Sequence, residues 1–117
     1  MASAMKRIST HILDLALGKP ANDVTVRLEK QEGSGWSLLA SERTDQDGRC
    51  HQLLPQEAAL STGSYRLSFD TARYYAAQNI RPLYPVVEIT FQVRDGETQF
   101  HIPLLLSPNG YTTYRGS

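Results

Sequence analysis

Apolar and polar residues alternate with a period of two through most of the chain, the pattern of strands that bury one face. Val24, Val26 and Leu28 alternate with Thr25, Arg27 and Glu29. Val87, Ile89, Phe91 and Val93 alternate with Glu88, Thr90, Gln92 and Arg94. Phe100, Ile102 and Leu104 alternate with His101, Pro103 and Leu105. Turn chemistry separates these runs at Gly18-Lys19-Pro20, Gly33-Ser34-Gly35, Asp45-Gln46-Asp47-Gly48, Asp95-Gly96 and Ser107-Pro108-Asn109-Gly110. The pattern predicts strands near 6–14, 23–31, 36–44, 50–54, 64–70, 86–94, 98–106 and 111–116. Thr71 to Gln78 has helical character, with Asp70 or Thr71 placed to cap it. About eight strands with close turns and one short helix predict an all-β sandwich or barrel.

Two hairpins can be set in register. If Asp95-Gly96 is a two-residue type I′ loop, Arg94 pairs with Glu97, and Phe91, Ile89 and Val87 face Phe100, Ile102 and Leu104. His101, Pro103 and Leu105 then point off the core, beside Thr90, Glu88 and Val86. The turn at Ser107 to Gly110 brings His101 opposite Gly116 with a two-residue loop, or opposite Ser117 with a three-residue loop. In the first strand Ile8, Thr10 and Ile12 alternate with Ser9, His11 and Leu13, so His11 also faces away from the core. A face bearing His, Leu, Pro and Val suits an interface between subunits better than water.

Length and charge narrow the function. The 117 residues suffice for one core, so 1–117 is expected to be a single domain with 1–5 disordered. Lys and Arg number 12, as do Asp and Glu, so the formal charge is +0 and no basic excess suits a phosphate backbone. No apolar run approaches a membrane span, and the start lacks the apolar stretch of a secretory signal. The single Cys50 suits a reducing compartment, and the closing Arg-Gly-Ser is not a peroxisomal address. A cytoplasmic protein is expected, with no nucleic-acid or membrane partner.

Three histidines are candidates for chemistry: His11, His51 and His101. His101 stands out because the second hairpin sets it against Ser117, and an imidazole titrates in the range where hydrolysis moves protons. His51, next to Cys50, is read as structural. No zinc spacing occurs, and an EF-hand loop begun at Asp45 would need Gly where Cys50 stands and Glu where Gln56 stands. Asp45 to Gly48 is therefore a turn, and neither a metal nor a cofactor is expected. No Gly-x-Ser-x-Gly elbow is present. Arg49 is either a solvated strand-end charge or a forked cation for an anionic or carbonyl-rich ligand.

The chain ends His101-Ile102-Pro103-Leu104-Leu105-Leu106-Ser107-Pro108, then Asn109-Gly110-Tyr111-Thr112-Thr113-Tyr114-Arg115-Gly116-Ser117. This resembles the ending of the 5-hydroxyisourate hydrolases, the enzymatic branch of the transthyretin family. Ile8 to Asp14, followed by Gly18-Lys19-Pro20-Ala21, resembles the family's N-terminal motif, and Thr44 to Arg49 its central one. The resemblance spans roughly residues 8–117. It implies a transthyretin-like two-sheet sandwich and a homotetramer with active sites along a channel between dimers. It implies hydrolysis of 5-hydroxyisourate to 2-oxo-4-hydroxy-4-carboxy-5-ureidoimidazoline, in uric acid degradation. His11, Arg49, His101 and Ser117 map onto the catalytic group, and His11, Arg49 and Tyr114 onto the substrate contacts. His101, with Ser117 beside it, is assigned proton transfer; His11 is a second proton-handling or substrate-binding group. The alternative is a transthyretin-like ligand carrier, against which the histidines and the Tyr-Arg-Gly-Ser ending count, since a carrier needs no proton donors.

Overall fold

The alternating runs become strands because each can bury one face and pair its backbone with a neighbour. The computed structural model describes residues 6–117, so the disorder expected for 1–5 lies outside the described residues. The order is β1 (Arg7–Asp14), β2 (Lys19–Pro20), β3 (Thr25–Glu32), β4 (Gly35–Arg43), β5 (Arg49–Cys50), β6 (Gly63–Phe69), α1 (Thr71–Ala76), β7 (Val87–Val93), β8 (Gln99–Ser107) and β9 (Gly110–Thr113). One sheet runs β2-β1-β8-β9, with β5 also on β1; the other runs β4-β3-β6-β7. The β1–β8 pair is parallel and the other ladders are antiparallel.

The core lies between the sheets. Ile8 and Ile12 of β1 and Leu104 of β8 are fully buried with Val26 and Leu28 of β3 and Tyr65, Leu67 and Phe69 of β6. Thr10 occupies the polar position in this row and is satisfied there, its hydroxyl donating to the Ile102 carbonyl at 2.7 Å. Asp70 caps α1 by accepting from the Arg73 N–H at 3.1 Å, as the sequence suggests, and the helix stops at Ala76.

Four expectations need correction. β7 and β8 do not pair: β7 joins β6, and β8 joins β1 and β9. A type I′ loop needs positive φ at both central residues, and of Asp95 and Gly96 only Gly96 has it. The turn closes from Glu97 N–H to the Arg94 carbonyl at 3.1 Å, but the strands splay into different sheets. Phe91 and Phe100 still meet, at 5.6 Å between ring centroids, across the core rather than along a ladder. Val86 therefore stands at the entry to β7 in the other sheet, not beside Leu105.

The segment 50–54 gives only the two-residue β5. Leu53 and Leu54 are both buried, which no alternating strand allows. The Gln52 amide replaces the ladder, accepting from Ile8 and Leu54 N–H at 3.1 Å each and donating to the Lys6 carbonyl at 2.8 Å. The last strand ends at Thr113, and Lys19–Pro20, read as turn, forms the short β2.

Gly48 sets the approach of the turn before β5 to β1. Its φ is +75°, and a Cβ would collide with the Ile12 carbonyl oxygen, which accepts from Ala21 N–H at 2.9 Å. Gly48→Ala is expected to destabilise the fold by about 2 kcal/mol or more. A thermal melt equal to that of the parent protein would show that this approach is not constrained.

Candidate active site

The outer faces of the two sheets differ in chemistry. On the β3–β6 side Arg66 Nε donates to Glu29 Oε1 at 3.0 Å, and its guanidinium lies 4.3 Å from the Trp36 ring centre. That pairing holds the Glu29 carboxyl below the usual carboxylate range, the pattern of a solvated charged face. On the other sheet the register sets Ser9 beside His101, His11 beside Pro103 and Leu13 beside Leu105, all facing outward. β5 adds Arg49 opposite His11, while its other residue, Cys50, turns into the core beside Thr10.

A cavity of about 420 Å³ opens at one end of this face, lined by Arg7, Ser9, Arg49, His101, Gly116 and Ser117, with Gln99, Phe100 and Arg115 completing it. Three of these residues are arginines and none is an Asp or Glu. In a chain of zero formal charge, that excess is a local arrangement. Arg115 is tied down, donating to Glu97 Oε2 at 2.9 Å and to the Gln99 carbonyl at 3.1 Å. Arg7 donates through Nε to the His51 carbonyl at 2.8 Å. Among the described residues, the Arg49 guanidinium has no hydrogen-bonded or ion-paired protein partner, which leaves its fork for a ligand.

His101 is half-buried on the cavity wall. Its Nδ1 lies 2.8 Å from the Ser9 hydroxyl, and its carbonyl accepts from Gly116 N–H at 2.7 Å. The facing residue is Gly116, as a two-residue turn at Pro108-Asn109 requires. Burial pushes the His101 imidazole below its ordinary pKa, and the charges of Arg49, His11 and Arg7 push it the same way. Both effects favour the neutral ring, which has one nitrogen lone pair to offer.

The sequence candidates distribute unevenly. His101, Arg49 and Ser117 share the cavity. His11 sits next to Arg49 on the same face and contributes charge at His101, without lining the cavity. Tyr114 does not line this cavity; it is 55% exposed and lines a neighbouring groove with Ile89, Phe91 and Phe100. His51 is exposed and 3.4 Å from Asp45 Oδ2, in keeping with a structural role. The Asp45 turn satisfies itself, its Oδ1 accepting from Asp47 and Arg49 N–H at 2.9 and 3.0 Å. Burial first, then Glu42 and Asp45, pushes the Cys50 thiol up to about 12, so it is no nucleophile. Ser9, Arg7 and Gly116 were not candidates on sequence; Ser9 and Arg7 share the outward parity of His11, which is the signal that finds them.

Two stacked sheets with one short helix, a parallel β1–β8 pair and a histidine–arginine cavity on the outer face of one sheet define a transthyretin-like sandwich with an enzyme-like site. The family model described as "HIUase/Transthyretin family" matches residues 8–116, and the chain belongs to that family. It is 41% identical over 117 residues to the 5-hydroxyisourate hydrolase of Salmonella typhi, covering 100% of this chain and 85% of that one. Among solved structures, Klebsiella pneumoniae 5-hydroxyisourate hydrolase aligns with a TM-score of 0.82 and 35% identity, over 95% of this chain and 99% of that one. Sea bream transthyretin, solved in complex with thyroxine, aligns with a TM-score of 0.86 and 32% identity, over 94% of each chain. The sandwich is therefore common to a hydrolase and to a thyroxine-binding transthyretin, and the fold alone does not tell them apart.

Proposed function

We propose that the chain hydrolyses 5-hydroxyisourate, at the cavity that holds His101. The observation that carries this reading is a half-buried imidazole, held below its ordinary pKa by burial and neighbouring cations, beside an unpaired arginine in a cavity with no Asp or Glu side chain. A hydrophobic hormone carrier needs neither. The relatives' names point the same way.

The proposed step opens a cyclic amide. His101 removes a proton from water as the water oxygen attacks the ring carbonyl. Negative charge develops on the carbonyl oxygen, where Arg49 is placed to stabilise it with paired N–H donors. The C–N bond breaks, the imidazolium returns its proton to the leaving nitrogen, and the products are a carboxylate and a ureido group. Ser117 orients the water or His101 from the cavity wall. His11 assists as second proton carrier or substrate contact beside Arg49. Tyr114, exposed and outside its own cavity, fits a substrate contact made across the boundary between copies. No step requires a metal or an organic cofactor. Incubating excess, freshly generated 5-hydroxyisourate with the protein should give the ring-opened carboxylate by carbon NMR. One-to-one binding with the ring intact would favour the carrier.

The assembly proposed is a homotetramer. Leu13, Pro103 and Leu105 form an outward row beside the cavity, and Leu15 and Leu17 stand exposed where β1 ends. β7 and β9 are open sheet edges whose backbone groups invite a second copy. Sedimentation velocity at micromolar concentration should report about four times the chain mass; a monomer would remove this part of the reading. The proposed compartment is the cytoplasm, supported by Cys50, a buried free thiol that suits reducing conditions. No helix among the described residues is long and apolar enough to cross a membrane.

A further inference from the structure

The His101 ring is held from two sides. Ser9, directly opposite it in the parallel ladder and 5% exposed, meets Nδ1 at 2.8 Å. On the other side is Gly116: a Cβ there would lie 2.5 Å from His101 Cδ2, 3.3 Å from its Cγ and 3.2 Å from Pro103 Cγ. The backbone of Gly116 is thus a wall against which the ring rests, and any side chain would push the ring out. Nε2 is the ring nitrogen left for the cavity. The Ser9 bond can run in either direction, and the direction decides the chemistry. A Ser9 hydroxyl that donates to Nδ1 leaves an N–H on Nε2; one that accepts from Nδ1–H leaves a lone pair there.

We propose that Ser9 is a positioning residue: it accepts from His101 Nδ1–H and, with Gly116 as the opposing wall, fixes the tautomer whose Nε2 lone pair faces the cavity. The surrounding charges favour this direction. Arg7 from β1, Arg49 from β5 and Arg115 beyond β9 line the same cavity as cations. An Nε2–H there would set its positive end among guanidinium groups, whereas a lone pair is stabilised by them. Ser9 is itself among the residues that line the cavity.

The inference rests on the reading of His101 as the proton-transfer group, and the test separates the two. Long-range proton–nitrogen NMR on histidine-labelled protein should show His101 as the Nδ1–H tautomer. Ser9→Ala should mix the tautomers and lower kcat by about 10–100-fold with KM little changed, the usual cost of losing an outer partner that orients a histidine. Ser9→Thr, which keeps the hydroxyl, should restore both. Gly116→Ala should displace the ring, shift its resonances and cost about 100-fold in kcat. Circular dichroism on each variant separates loss of position from loss of fold. An Nε2–H tautomer in the parent protein, or a Ser9→Ala variant with unchanged tautomer and rate, overturns the inference and leaves the function intact. A fully active His101→Asn variant overturns the reading of His101 as the proton-transfer group, while the NMR spectra still decide what Ser9 does.

Discussion

Replacing His101 by Asn should leave the sandwich folded and remove most of the hydrolysis. The side chain faces outward from β8 while Phe100, Ile102 and Leu104 on the same strand hold the core, so the thermal melt should move little. Asn keeps polar atoms near Ser9 but cannot take up and return a proton at neutral pH. Loss of a positioned acid–base group is worth about 10²–10⁴ in rate, and kcat/KM should fall within that range. In the parent protein the base works while unprotonated. Because burial, Arg49, His11 and Arg7 hold the His101 pKa below its ordinary value, activity should persist below the usual imidazole range before the acid limb falls. His101→Asn should erase that limb. A wild-type rate in the variant, or an unfolded protein, would contradict the account of the site.

The second large effect belongs to Arg49. Its guanidinium has no protein partner among the described residues, so its removal should cost little stability. The cavity loses its one uncommitted fork, while Arg115 stays bound to Glu97 and Arg7 to the His51 carbonyl. If Arg49 stabilises the developing oxyanion, Arg49→Ala should lower kcat by about 10²–10³. Arg49→Lys keeps the charge without the planar pair of donors and should recover only part of the loss. Steady-state kinetics on both variants checks this. Equal, full activity in Arg49→Ala would assign the arginine to the solvated strand end that its sequence position also allows.

Local pattern made much of this legible. Alternation of period two located the strands, and it placed His11 and His101 on outward faces before any partner strand was known. The Ser107 to Gly110 turn is short enough that loop length narrows the residue facing His101 to Gly116 or Ser117, and the structure has Gly116 there. What failed was non-local. Asp95-Gly96 looks like a tight hairpin, yet Asp95 does not take the positive φ that such a loop needs, and the strands part. The β1–β8 pairing joins residues 92 positions apart, such as Ser9 and His101, and no local signal announces it. For that reason Ser9 and Arg7 stayed invisible although their parity was known. Leu53 and Leu54 resemble the end of a strand, but a side-chain amide from Gln52 diverts the backbone and buries both. Tyr114 is singled out only by resemblance to the hydrolases, and it does not line the cavity.

We propose that the cavity holding His101 opens the ring of 5-hydroxyisourate. The most direct measurement follows the ultraviolet absorbance of freshly generated 5-hydroxyisourate in the presence of increasing protein. The decay should accelerate in proportion to protein concentration and saturate with substrate, and a His101→Asn sample at equal concentration should return it close to the spontaneous rate. Decay at the spontaneous rate with the unaltered protein would contradict the claim.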